Sequence, residues 1–99
     1  MHGIPKKIEL AGITVDVILD PDLYKTRKIL GEAVYMKQQI LLDASLGSQL
    51  VWQNFYHELL HWIFYILNRD NLRNDETLVD LTAHMLNQAL HGHEELGHA

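Results

Sequence analysis

The chain has 99 residues, 47% hydrophobic and 21% charged, which suits one small folded domain and excludes long disorder. It has no cysteine, which excludes disulfides and thiolate metal sites, and a net charge of −5 with a pI near 5.7 opposes a nucleic-acid-binding surface. No apolar run reaches the length of a membrane span and the start MHGIPKKIEL lacks a signal-peptide core, so a cytoplasmic protein with no membrane partner is expected.

The first half alternates with period two. Lys6 to Leu10 predicts a short strand. Ile13, Val15, Val17 and Leu19 alternate with Thr14, Asp16 and Ile18 in a second, close to the signature of a half-buried strand, and Ala11-Gly12 between them predicts a tight hairpin in which Gly12 accepts positive φ. Asp20-Pro21-Asp22 starts a loop. Leu30 to Met36 and Gln39 to Asp43 predict a second hairpin around Lys37-Gln38.

Near residue 44 the pattern becomes helical. A helix is expected over about 48–68, with Ser45 or Ser48 as N-cap, and Val51, Trp52, Phe55, Leu59, Trp62, Ile63 and Ile66 make its broad apolar arc. A last helix is expected over about 75–90, capped by Asn74. Its core face would be Leu78, Leu81, Met85, Leu86, Ala89 and Leu90, with Gly92 as the stop and a polar tail over 91–99 that includes His91, His93 and His98. The plan is α+β: a small sheet of about four strands, antiparallel or mixed, packed on two helices, with residues 1–99 as a single domain.

Residues 57 to 61 read HELLH. Histidines at i and i+4 lie one turn apart on a helix, so His57 and His61 can aim two imidazole nitrogens at one metal ion. Glu58 lies too far round the helix to be a comfortable ligand but can reach a water at that ion, which is the mechanical content of H-E-x-x-H. With this chain's own His and Glu frequencies the expected number of chance matches is roughly 0.03. A catalytic zinc needs a third protein ligand and an open position. In the last helix Glu76, Asp80 and His84 form a polar stripe, from which Glu76 is chosen as third ligand and Asp80 as the acceptor that orients a ligating histidine. His84 is left as an alternative ligand, a substrate contact or a surface residue, and Asp75 as an acid that serves the helix dipole.

HELLH followed by Glu76-Thr77-Leu78-Val79-Asp80 is similar to the gluzincin arrangement, in which HExxH is followed by ExxxD on the next helix. The strands ahead of HELLH make the chain resemble more closely the small phage-type zinc metallopeptidases of the ImmA/IrrE kind, over roughly residues 30 to 90; Val79 stands where these carry a small Ala. The resemblance implies a minimal zincin-like domain with His57, His61 and Glu76 as Zn²⁺ ligands, Glu58 as general base and Asp80 behind the ligands. It implies a protein or peptide substrate, such as a phage or host regulatory protein, bound to an edge strand supplied by Leu30 to Met36 or Gln39 to Asp43. Tyr24, Tyr35, Tyr56, Tyr65, His84 and Arg73 are the candidates for stabilising the oxyanion. The rival readings are a zinc-binding interaction module without hydrolytic activity, for which Glu58 has no use, and a metal-free domain with structural histidines. A metal-dependent nuclease fits the acidic balance poorly.

Overall fold

The computed structural model describes residues 3–92. The observed order is β1 (Lys7–Leu10), β2 (Ile13–Asp20), α1 (Leu23–Arg27), β3 (Gly31–Val34), a 3₁₀ turn (Tyr35–Lys37), β4 (Gln39–Asp43), α2 (Ser48–Ile66), α3 (Asp70–Arg73), α4 (Glu76–Asn87) and a π-helical turn (Gln88–Gly92). It is an α+β architecture built on one mixed four-stranded sheet.

The sheet order is β1-β2-β4-β3. Both expected hairpins form: β1 pairs antiparallel with β2 and β3 antiparallel with β4. The first turn places both Ala11 (φ 50°) and Gly12 (φ 82°) in the left-handed region, the backbone of a primed hairpin turn. What joins the hairpins is a parallel pairing of β2 with β4, from Asp16 opposite Gln39 to Asp20 opposite Asp43. β4 takes the inner position because it is the most continuously apolar strand, with Ile40 and Leu42 fully buried. Of the two strands proposed as an edge, Gln39 to Asp43 is therefore interior, and β3 is the edge. The segment after Pro21, expected as a loop, contains α1. Its Leu23 is buried, and the Tyr24 amide donates to Asp43 Oδ2 at 2.7 Å.

One face of the sheet carries the core. Val15, Val17, Ile40 and Leu42 meet Val51, Phe55, Leu60 and Trp62 of α2, with Val79 and Ala83 of α4 behind them. The alternation in β2 ends early, Leu19 being 39% exposed. Trp62 is anchored by its indole N–H, which donates to the Gln39 carbonyl at 3.0 Å.

The helix starts differ from expectation. Gly47 in extended backbone precedes α2, and neither Ser45 nor Ser48 caps it, because the Ser45 hydroxyl and amide both donate to Asp43. Asn68 (φ 57°) ends the helix in the left-handed region. The α4 cap is Asp75 rather than Asn74, its carboxylate accepting from the Leu78 amide at 3.1 Å. The core face of α4 is also rotated. Leu78, Leu81, Met85 and Leu90 are exposed and Val79 and Ala83 are buried, with Leu86 packed against them. The reason is electrostatic as much as apolar: turning Glu76 and Asp80 toward His57 of α2 brings the next positions round, Val79 and Ala83, into the core. His91 belongs to the π turn rather than to a loose tail, its ring lying 4.3 Å from Trp52 and its Nε2 2.9 Å from the Tyr56 hydroxyl. His93 and His98 lie outside the described residues.

Candidate metal centre

α2 and α4 run side by side, and α3 bridges the 14 residues between His61 and Glu76. Glu76 opens α4, so its side chain reaches across to α2. The two imidazoles approach each other at Nε2, 3.3 Å apart. The Glu76 carboxylate straddles them, Oε1 lying 3.2 Å from His57 Nε2 and Oε2 3.1 Å from His61 Nε2. A tetrahedral ion with donors at about 2.0–2.1 Å holds neighbouring donors about 3.3 Å apart. The three separations match that triangle, so the side chains fit a metal ion without rearrangement. Among the described residues this is the group whose donor atoms could hold one ion. The third ligand chosen from the sequence is therefore the one that converges, and His84 does not join the group.

The surroundings favour ligation. His57 and His61 side chains are only 20% and 14% exposed. Burial holds the His61 imidazole below its ordinary pKa, keeping it in the neutral form that binds metals. Asp80 Oδ1 sits 3.5 Å from His57 Nδ1, the far nitrogen of a ligating ring. A carboxylate there fixes the tautomer that leaves Nε2 free. Asp80 Oδ2 in turn faces His84 Nε2 at 3.9 Å.

Glu58 lies on the other flank of His57, turned toward the sheet and only 8% exposed. Burial first, then the charges of Glu76 and Glu32, push its carboxyl up to about 8, while the Ala33 amide hydrogen bond opposes the rise. A cation at the centre would pull the value back down, leaving a base able to accept and release a proton near neutrality.

Glu58, His57, His61 and Glu76 line one open cleft of about 350 Å³ whose other walls include Gly31, Ala33, Tyr35 and Arg73. Leu30 accepts a ladder hydrogen bond from Asp43, so in the alternating antiparallel pattern Gly31 and Ala33 turn their backbone groups outward. Leu30 to Met36 is expected from the sequence as an edge strand, with neither Gly31 nor Ala33 singled out within it; a glycine inside a strand is the signal of a close approach. Here the approach is that of Glu58, which packs directly on Gly31.

Of the oxyanion candidates, Tyr35 and Arg73 reach the cleft. Tyr35 is stacked on Tyr65 at 4.1 Å and set edge-on to Trp62 at 5.1 Å. Burial raises its phenol pKa, and Arg73, itself held by Asp70 at 3.1 Å, hydrogen-bonds it. With Arg73 as donor to the phenol oxygen, the Tyr35 O–H remains able to donate. Tyr65 lies behind Tyr35, Tyr56 is occupied by His91, and Tyr24 is on α1; none of them lines the cleft.

No helix of the described residues is long and apolar enough to cross a membrane. Comparison of the chain with protein-family models, with curated proteins and with solved structures finds no match.

Proposed function

We propose that this chain is a zinc-dependent metallopeptidase of minimal zincin-like build, akin to the ImmA/IrrE kind that its motifs resemble. The observation that carries the reading is the triangle of His57, His61 and Glu76 donor atoms, 3.1–3.3 Å on a side. Two imidazoles and one carboxylate, with no thiolate, are a donor set for zinc at a site that keeps a coordination position open. When bound, zinc supplies a Lewis acid and water of lowered pKa.

The protein's own groups do the rest. Glu58 accepts a proton from the attacking water and delivers it to the amine of the leaving fragment. A structural or merely docking zinc site gains nothing from a carboxylate buried beside it, and burying one is costly; that favours the enzyme over an interaction module. The outward backbone groups of Gly31 and the Ala33 carbonyl, the Ala33 amide being held by Glu58, pair with an extended substrate and set its peptide bond over the centre. Tyr35, backed by Arg73, donates to the developing oxyanion. A regulatory protein of a phage or its host is the substrate the motif likeness suggests.

The test is hydrolysis of β-casein by the zinc-loaded chain and by Glu58→Gln, with zinc measured in both. The wild type is expected to cleave, and Glu58→Gln to lose turnover while holding about one zinc per chain. Equal behaviour of the two proteins would refute the peptidase reading and leave a zinc-binding module.

A further inference from the structure

Arg73, at the end of α3, is the one Lys or Arg among the described residues that line the cleft over the metal centre. Its guanidinium is held in place before any ligand arrives. Nε and Nη2 both donate to Asp70 Oδ1, at 3.3 and 3.1 Å, and Cζ lies 5.4 Å from the Tyr35 ring centroid and 5.9 Å from that of Tyr65. The side chain is 25% exposed. Backing Tyr35 does not exhaust it: of the five N–H donors of a guanidinium, Asp70 accepts two and the Tyr35 oxygen one, which leaves two.

The charges around it narrow the ligand. Each acid in the lining has a cation of its own: Glu32 pairs with Arg27 at 2.9 Å, and Glu58 and Glu76 flank the metal position. Asp70, the acid that faces Arg73, stands outside the lining and is 64% exposed, where water weakens its hold. An anion entering the cleft therefore meets one cation besides the metal. The anion that a polypeptide carries is a carboxylate, and charge-assisted bonds to a guanidinium are about twice as strong as neutral ones.

We propose that Arg73 is a specificity residue that receives a substrate carboxylate, either a Glu or Asp side chain or the carboxylate that ends the chain. The substrate class rests on the reading of the centre as a peptidase. A cleft of about 350 Å³ is about 7 Å across, and an extended chain advances about 3.3 Å per residue, so the carboxylate belongs to a residue within about two positions of the bond over the metal. A Gln side chain has the length of Glu and lacks its charge, which makes Glu against Gln the discriminating comparison.

The experiment uses the full chain carrying Glu58→Gln, zinc-loaded, so that binding is read without turnover. The probes are neutral decapeptides that differ by a single Glu or Gln walked across the central positions, each with a free carboxylate or an amide at the C-terminus, and Kd is read by fluorescence anisotropy. At one position, or at the free C-terminus, the carboxylate is expected to bind about tenfold more tightly than its amide, and Arg73→Gln to bring that ratio to one with zinc content unchanged. Where the ratio appears tells a side chain from a chain end. Acids and amides that behave alike throughout would overturn the proposal, as would a ratio that survives Arg73→Gln, since the carboxylate would then sit on the metal. If Arg73→Gln does not fold, Arg73→Lys, which keeps the charge and loses the fork, should reduce the ratio several-fold, and an unchanged ratio overturns the proposal. A ratio lost in Arg73→Gln, with no cleavage of casein by the wild type, leaves the carboxylate site and removes the peptidase reading; casein cleavage with no ratio removes the carboxylate site alone.

Discussion

Gly31→Ala puts the packing of Glu58 against the sheet edge to a numerical test. A Cβ at position 31 would lie 3.1 Å from Glu58 Oε2, 3.2 Å from Glu58 Cγ and 3.2 Å from the Leu41 carbonyl oxygen. Comfortable contact begins at about 3.5 Å, so the neighbours must yield by roughly 0.3–0.4 Å. Leu41 is held in the β3–β4 pairing and moves little; Glu58 is the group that shifts. Overpacking of this size costs about 1 kcal/mol, the low end of its usual range, and lowers Tm by about 4–8 °C in a domain this small. A misplacement of 1 Å costs on the order of a hundredfold in rate, so 0.3–0.4 Å should lower kcat roughly four- to sixfold. The three atoms nearest the added carbon belong to Glu58 and Leu41 and not to His57, His61 or Glu76, and zinc content should stay at the wild-type level. Thermal unfolding, elemental analysis and casein hydrolysis on one preparation read all three quantities. An alanine variant with wild-type turnover and Tm would refute the argument, and one that loses its zinc would show that edge and metal centre are not separable.

Zinc at a hundred times its Kd should stabilise the fold by about 2.7 kcal/mol, raising Tm by roughly 10–20 °C, and this rise should vanish in His57→Ala and Glu76→Ala under calorimetry. Asp80→Ala should weaken zinc about 10–100-fold in competition with a chelator, without abolishing binding at excess metal. Asp43 accepts from the Ser45 hydroxyl and from the Tyr24 and Ser45 amides, and these bonds, the hydroxyl first, hold its carboxyl below the usual value. A depressed folded pKa contributes stability that is present above the unfolded value near 4 and is lost as pH falls through the folded one. Urea midpoints followed from pH 6 downward should therefore drop more steeply for wild type than for Asp43→Asn.

The local patterns in this chain were legible where one force sets them. Period two in Ile13–Val17 and in Gln39–Asp43 yields strands because one sheet face is buried, and the i, i+4 spacing of His57 and His61 fixes their convergence on any helix. Glu76 was legible because an acid in a first turn, a loop of sufficient length before it, leaves few other residues within reach. What the sequence hid depends on tertiary choice. The parallel β2–β4 pairing links strands 23 residues apart and has no local signature. From the sequence α4 takes the face of its larger side chains, whereas the fold buries Val79 and Ala83, whose side chains are shorter than those of Leu and Met and let α4 lie close enough for Glu76 to meet both histidines. Ser45 looks like a cap until Asp43 is seen to hold it.

An open sheet edge invites pairing by a second copy of the same protein as readily as by a peptide. β3 answers that hazard by being only four residues long, by carrying Gly31, and by presenting Glu32, tied to Arg27 at 2.9 Å, where a neighbouring molecule would bring the same charge. Self-association in register would set like charges against each other, while a single peptide strand need not. Glu32→Val should leave the fold intact and make the protein's apparent mass in sedimentation rise with concentration. On the proposed reading, the charge beside the cleft opposes self-pairing at the edge that a peptide would occupy.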